Sequence, residues 1–180
     1  MILVTGGAGF IGSNIVARLA RDGADVAVCD WLGHENKWRN IAKADIADMV
    51  LPDDLGTWLK GKTASLEAIV HMGAISSTTE RDADLILRNN VDLSRLLWEF
   101  ASDHRVPFIY ASSAATYGDG ASGFDDAFDR TALGALRPLN AYGWSKLFFD
   151  RLVAREIAAK RAAPPQWAGL RFFNVYGPNE

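Results

Sequence analysis

A glycine-rich turn near the start of the chain constrains the fold more than any other feature. Residues 2–4 are apolar and predict a short strand, and glycines follow at Gly6, Gly7, Gly9 and Gly12 before a helical pattern begins. The last three of them satisfy the spacing G-x-G-x-x-G. A turn without side chains lets backbone N–H groups approach a pyrophosphate at the positive end of a helix. We therefore predict a phosphate-binding strand–turn–helix unit here.

The context of this turn makes the prediction more specific. Asp30 ends the next apolar run and lies close to the ~20-residue spacing expected of an acid that binds a ribose. Such a carboxylate accepts both ribose hydroxyls of NAD and repels a 2′-phosphate. Lys37 and Arg39 follow it and are able to offset that repulsion. The pattern predicts a bound dinucleotide and leaves NAD and NADP open.

The composition excludes several classes of protein. With 180 residues, 49% of them hydrophobic, the chain has the size and apolar content of one ordinary domain. Its net charge of −3 argues against a nucleic-acid or anionic membrane partner. Cys29 is the one cysteine, and no apolar run reaches the ~18–20 residues of a membrane span.

No basic segment precedes the first strand, so we expect no secretory signal and a cytoplasmic location. No spacing of His, Cys or Asp suggests a metal.

Strand and helix patterns alternate along the whole chain. This predicts a Rossmann α/β fold, a doubly wound parallel sheet with strand order 3-2-1-4-5-6. The strands are predicted at about 2–4, 24–29, 41–44, 66–71, 106–111 and 167–173, and the helices at about 11–22, 53–60, 82–102 and 141–160.

Candidate catalytic side chains lie just after the predicted fifth strand and on the helix predicted at 141–160. Tyr142 and Lys146 form Y-x-x-x-K, and residues four apart on a helix project from one face. A phenol is a poor base at neutral pH, but a nearby ammonium stabilises its phenolate. Lys146 is also able to donate to a nicotinamide ribose. Ser113, just after the predicted fifth strand, is placed to hold a substrate hydroxyl beside Tyr142.

Together, these motifs resemble the extended short-chain dehydrogenase/reductase superfamily of nucleotide-sugar epimerases and dehydratases. Four segments, 71–80, 110–118, 139–146 and 172–178, resemble the members that invert C6 of an ADP-linked heptose for the lipopolysaccharide core. The resemblance covers essentially the whole chain. It implies a dinucleotide-binding domain over 1–175, with 176–180 as the start of a substrate domain that is largely absent.

The resemblance also implies roles for individual residues. It favours NADP over NAD as cofactor, an ADP-linked heptose as substrate and a homo-oligomer, a pentamer. Met72 and Trp31 depart from the family pattern, which has Glu and Asn there, and a basic residue expected near Pro52 is missing. Cofactor contacts are implied for Gly6, Gly7, Gly9, Phe10, Ile11, Gly12, Asp30, Trp31, Lys37, Asp45, Ile46, Met72, Gly73, Ala74, Ile75, Ser76, Asn89, Lys146 and Val175. Substrate contacts are implied for Ser76, Ser113 and Asn174, and catalysis for Ser113, Tyr142 and Lys146.

Two other functions remain open at this point. The chain fits an epimerase or dehydratase of another nucleotide sugar, although Ala114-Ala115 lacks the acidic pair that a dehydratase usually needs. It also fits a dinucleotide-sensing regulator, although such proteins typically lose the Tyr or the Lys that this chain keeps.

Overall fold

A six-stranded, fully parallel sheet forms the centre of the molecule, with helices on both faces. The computed structural model describes residues 1–34 and 36–180. The strand order is β3-β2-β1-β4-β5-β6, which confirms the predicted order. The strands are β1 (Ile2–Thr5), β2 (Val26–Cys29), β3 (Asp48–Val50), β4 (Ala68–His71), β5 (Phe108–Ser113) and β6 (Trp167–Phe172).

The helices follow the predicted alternation, with one addition. The described helices are α1 (Phe10–Arg21), α2 (Leu55–Lys60), α3 (Ala83–Ile86), α4 (Leu93–Asp103), α5 (Arg130–Ala135) and α6 (Ala141–Ala158). A π-helical segment, Leu87–Asp92, joins α3 to α4, so the predicted helix over 82–102 is one run with a wider turn in its middle. Helix α5 lies in what the sequence predicts as a loop; Asp129 accepts backbone N–H bonds from Thr131 and Ala132 and so caps its N-terminus.

The core lies on both faces of the sheet because parallel strands are covered on both sides. Leu3 and Val4 are adjacent on β1 and point to opposite faces, since side chains alternate along a strand. Leu3 packs in a cluster with Phe108 and Leu97, whereas Val4 packs with Val16 of α1. Packing on both faces holds the central strands in place. Because the strands are parallel, their carboxyl ends lie along one edge of the sheet.

The predicted third strand is wrong in position. Residues 41–44 form a turn after a 3₁₀ segment, Asn36–Asn40, and the strand pairs with β2 at 48–50 instead. Ile41 is buried against the core from this turn, which explains why an apolar signal appears there without a strand. The other predicted strands agree to within about two residues.

No helix among the described residues is both long and apolar enough to cross a membrane.

Trp98 of α4 and Leu147 of α6 are large apolar side chains, and both are buried inside this one chain.

Candidate functional site

A cavity of about 1020 Å³ opens at the carboxyl ends of the strands. It lies beside the paired strands β1 and β4, from which the strand order runs outward in opposite directions. Ligands bind at this switch point in open α/β sheets. Most of the predicted site residues line it: Gly6, Gly9, Phe10, Ile11, Gly12, Asp30, Trp31, Lys37, Met72, Gly73, Ala74, Ile75, Ser76, Asn89, Ser113, Tyr142, Lys146, Asn174 and Val175. Gly7, Asp45 and Ile46 are not among the lining residues.

These three residues lie elsewhere for identifiable reasons. Gly7 packs inward, where an added Cβ would lie 2.9 Å from Val28 Cγ1. Asp45 and Ile46 come before β3 rather than after it, because the strand starts at Asp48. Pro52, just past the carboxyl end of β3, lines the cavity in their place.

The glycine turn tolerates no larger side chains at its critical positions. A Cβ on Gly12 would lie 2.0 Å from the backbone oxygen of Gly6. Gly6 itself has φ +64°, and a Cβ there would lie 2.7 Å from Cα of Gly73. Gly9 precedes α1 and offers no side chain to its first N–H groups. The turn is therefore a cradle of backbone donors at a helix N-terminus, which fits a pyrophosphate.

Asp30, the predicted ribose-binding acid, lines the cavity and has two hydrogen-bond partners. The Ala8 N–H donates to its Oδ2 at 2.9 Å, and Lys37 Nζ pairs with its Oδ1 at 2.6 Å. The carboxylate is 5% exposed. Beside it, the Trp31 indole N–H donates to Asp53 Oδ2 at 3.0 Å, so the indole is fixed at the cavity wall. The Lys37 ammonium thus compensates the negative charge of the Asp30 carboxylate.

His71 supports the cavity floor and is electrically neutral. Burial lowers the pKa of His71 to about 3, and the nearby Lys146 acts in the same direction. Ser94 donates its proton to the Asn90 carbonyl at 2.5 Å, so His71 Nε2 is the donor in its 2.8 Å contact with Ser94. His71 Nδ1 then accepts from Thr5, whose Oγ1 lies 2.6 Å away. This histidine is a structural bridge rather than a base.

Asn90, which sequence reasoning missed, holds the loop after β4. Its Oδ1 accepts from the Ile75 N–H at 2.8 Å, and its Nδ2 donates to the Ile75 carbonyl at 3.0 Å. The same amide nitrogen reaches Ser145 of α6 at 3.0 Å. Its neighbour Asn89 lines the cavity and donates to the Leu85 carbonyl. Both residues belong to the π-helical segment, and π-helical turns occur frequently at functional sites.

Helix α6 delivers Tyr142 and Lys146 to the same cavity. Asn140 caps the helix by accepting the Gly143 N–H at 2.8 Å. A Cβ on Gly143 would lie 2.6 Å from the Ala115 carbonyl, so the start of α6 packs closely on the turn that follows β5. Ser113 ends β5 beside that turn, and its Oγ accepts the Ala115 N–H at 3.1 Å. The fold therefore brings Ser113, Tyr142 and Lys146 into one cavity.

The environment of Lys146 changes its ionisation. The side chain is 4% exposed, and burial lowers its pKa from 10.5 to about 8, while Asp150 acts in the opposite direction. Lys146 and Tyr142 lie four residues apart on α6 and line the same cavity, as the Y-x-x-x-K spacing predicts.

We expect Lys146→Met to stabilise the folded protein at pH 7. In the folded state the lysine binds its proton less tightly than in the unfolded state, so wild-type stability rises relative to the variant as pH increases from about 8 to about 10.5. Below that window the buried charge costs up to about 3 kcal/mol. Guanidinium denaturation at a series of pH values measures the difference, with Lys60→Met, on an exposed lysine, as control. A difference that does not change with pH would contradict this account.

Several residues line the cavity without having been predicted. They are Thr5, Cys29, Pro52, Leu93, Ala111, Ser112, Phe172, Phe173, Tyr176 and Glu180. Most of them end a strand or follow one. Their position at the carboxyl end of a predicted strand was the sequence signal that could have identified them as cavity residues. Among residues 1–34 and 36–180, no three His, Cys, Asp or Glu side chains are grouped to hold a metal ion.

Comparison with known proteins finds the same architecture in longer chains. ADP-L-glycero-D-manno-heptose-6-epimerase of Fusobacterium nucleatum is 46% identical over the whole of this chain, which covers 54% of that protein. The Helicobacter pylori ADP-L-glycero-D-manno-heptose-6-epimerase structure matches 99% of this chain and 56% of its own, with 30% identity and a TM-score of 0.78. UDP-glucuronic acid 4-epimerase from Bacillus cereus, in complex with NAD, matches 99% and 58%, with 28% identity and a TM-score of 0.77. This chain thus spans about half the length of these relatives.

Family membership rests on a match over nearly the whole sequence. The family described as "NAD dependent epimerase/dehydratase family" matches residues 2–180. The glycine cradle, the strand order and the Tyr142–Lys146 pair lie within that range. The chain belongs to the NAD dependent epimerase/dehydratase family.

Proposed function

We propose that this chain is the dinucleotide-binding part of an epimerase that inverts C6 of an ADP-linked glycero-manno-heptose. The observation that carries the proposal is the convergence of Ser113, Tyr142 and Lys146 on the cavity that the glycine cradle opens into. A dinucleotide in the cradle and a sugar beside Tyr142 then meet in one space. The choice of sugar is supported by the names of the relatives from F. nucleatum and H. pylori. The product of this epimerase would supply the heptose of a lipopolysaccharide core.

The chain's own residues account for binding and proton transfer. When bound, a nicotinamide dinucleotide supplies an acceptor and donor of hydride. The cradle and the N-terminus of α1 would hold its pyrophosphate, and Asp30 would hold the adenosine ribose. Tyr142 takes the proton from the sugar hydroxyl as a carbonyl forms, and returns it as the alcohol is restored. Lys146 stabilises the phenolate, and Ser113 holds the same hydroxyl in line with Tyr142. Because a bound dinucleotide would both accept and return hydride, inversion of the carbon would involve no net redox change.

An NMR assay of product stereochemistry tests this function. The protein, at the length of its relatives, is incubated with ADP-heptose and with UDP- and GDP-linked sugars. We expect inversion at C6 of the ADP-heptose, and binding of dinucleotide without turnover for residues 1–180 alone. Turnover of a UDP- or GDP-sugar instead would favour the alternative, an epimerase or dehydratase of another nucleotide sugar. Inversion by residues 1–180 alone would contradict the assignment of this chain as an incomplete enzyme.

We further propose NADP as the preferred cofactor, with NAD as the alternative. An unpaired carboxylate at the end of the second strand repels a 2′-phosphate. Here Lys37 pairs with Asp30 at 2.6 Å, and this pairing offsets the repulsion. Lys37 also lines the cavity and is 35% exposed at its side chain, so the ammonium is accessible to a phosphate.

Replacing Lys37 is expected to reverse the preference for NADP over NAD. Lys37→Gln leaves Asp30 without its counter-charge, so NADP affinity falls by about tenfold or more while NAD affinity changes little. Calorimetric titration of both dinucleotides into the ligand-free protein measures the ratio. Lys43→Gln, on an exposed lysine outside the cavity lining, is the matched control. Tenfold tighter binding of NAD than of NADP by the wild-type chain would refute the preference.

A homo-oligomer and a cytoplasmic location belong to the same proposal. Both rest on the family resemblance and the sequence, and light scattering of the purified protein tests the first, including the pentamer.

A further inference from the structure

Two charged side chains, Asp150 and Arg171, pair with each other close to Lys146. Lys146 faces the cavity, whereas Asp150 and Arg171 are not among its lining residues. Asp150 is 0% exposed, and the Arg171 side chain is 9% exposed. Because Asp150 follows Lys146 by one helical turn, the two project from the same face of α6. A carboxylate this deeply buried needs a reason, since desolvation of an ion is costly.

The carboxylate of Asp150 is held from three sides. Its Oδ1 accepts the Tyr110 hydroxyl of β5 at 2.9 Å, and its Oδ2 accepts the Ser112 hydroxyl at 3.0 Å. Arg171 of β6 adds two contacts to Oδ2, each at 3.3 Å. The far end of Arg171 donates to the Tyr117 hydroxyl at 3.0 Å. The carboxylate therefore occupies a fixed position relative to Lys146.

We propose that Asp150 is a positioning residue for Lys146: its carboxylate is the buried counter-charge of the Lys146 ammonium, and Arg171 limits that effect by pairing with the same carboxylate. This deepens the proposed function and rests on it, since Lys146 is the cation on which proton transfer by Tyr142 depends.

The other ionisable groups near Lys146 do not supply this counter-charge. His71 of β4 is neutral, and burial raises the pKa of the Tyr110 phenol well above its ordinary value, so Tyr110 is neutral too. Asp150 is the negative group that opposes the loss of the Lys146 proton, while burial favours that loss. Ionisable groups lie on several of the described elements around Lys146. They include Tyr142 and Asp150 on α6, His71 on β4, Tyr110 on β5, Arg171 on β6, Tyr117 in the turn after β5, the exposed Arg130 of α5, and the exposed Asp84, Arg88 and Asp92 of the segment α3 to α4.

The Lys146 titration, followed by NMR of ¹³C-lysine in the ligand-free chain, tests the proposal. The signal is assigned by its loss in Lys146→Met. In the wild type we expect a midpoint near the Lys146 pKa of about 8. Asp150→Asn leaves Arg171 unpaired and should lower the midpoint by about one pH unit or more. Arg171→Gln leaves Asp150 unpaired and should raise it. Tyr110→Phe removes a hydrogen bond to Asp150 but no charge, so its midpoint stays near that of the wild type.

Opposite shifts for Asp150→Asn and Arg171→Gln support the proposal, because a merely structural role would not give opposite signs. Equal midpoints, or shifts in the same direction, would overturn it. If one single variant does not fold, the direction of the midpoint shift in the other variant decides. If neither folds, the double variant Asp150→Asn/Arg171→Gln decides, with a lowered midpoint expected and an unchanged one overturning the proposal.

Calorimetry with NADP across the same pH range separates this inference from the proposed function. The midpoint shifts need no ligand, so shifts as expected together with no binding of NADP or NAD would refute the function and leave the role of Asp150 standing.

Discussion

Tyr142→Phe is expected to reduce epimerase turnover by about 10²- to 10⁴-fold while the dinucleotide still binds. The substitution removes one hydroxyl that transfers a proton, and it leaves the ring and its packing in place. Turnover is measured by NMR on the protein at the length of its relatives, and binding by calorimetry on the 180-residue chain.

Lys146→Met is compared with Tyr142→Phe to separate loss of proton transfer from loss of dinucleotide binding. Because Lys146 is assigned both to the phenolate and to the dinucleotide, its replacement should reduce turnover as strongly and weaken dinucleotide binding as well. It should do so while raising stability at pH 7, so loss of activity is not explained by unfolding. Equal and mild effects of the two substitutions would show that the catalytic site has been placed wrongly.

Gly12→Ala is expected to weaken dinucleotide binding strongly and to destabilise the fold. The added Cβ would lie 2.0 Å from the Gly6 carbonyl oxygen, and both partners are backbone, so the turn itself must move. Overpacking of this kind costs about 3 kcal/mol, and displacement of the N–H donors should lower dinucleotide affinity by on the order of 100-fold. Denaturation and calorimetry measure the two effects.

Gly134→Ala is the matched control for that substitution. Gly134 lies in α5, and a Cβ placed on it would meet no atom within 4 Å. Alanine is favoured over glycine in a helix by about 0.5–1 kcal/mol, so this variant should be neutral or slightly more stable. If both glycine variants bind the dinucleotide equally well, the close approach within the turn is not what the function requires.

The element types and the candidate catalytic pair follow from local sequence patterns. Strand and helix periodicity is read within one element, and alternating strands and helices favour this sheet order, so the order was predictable even where boundaries moved by two residues. The glycine turn and the Tyr142–Lys146 pair are similarly short-range, since their geometry is set by one turn and one helix. The one misplaced strand, β3, is short and follows an apolar turn, so hydrophobicity alone pointed to the wrong residues.

The electrostatic character of the site was decided by the tertiary structure. Lys37 lies seven residues from Asp30, but their ion pair depends on the path of the chain after β2. Asn90 rather than Asn89 holds the loop at Ile75, because the π-helical turn directs the buried amide toward that loop.

The sequence by itself determined the alternation of strands and helices, the cradle and the helix face that presents Tyr142 and Lys146, because each depends on neighbours a few residues apart. The strand order followed from the connections that this alternation favours. Only the tertiary structure decided how Lys146 ionises, since its burial and the Asp150–Arg171 pair arise from contacts among β4, β5, β6 and α6. Charge interactions act through space and depend on burial, and neither quantity can be read from spacing along the chain.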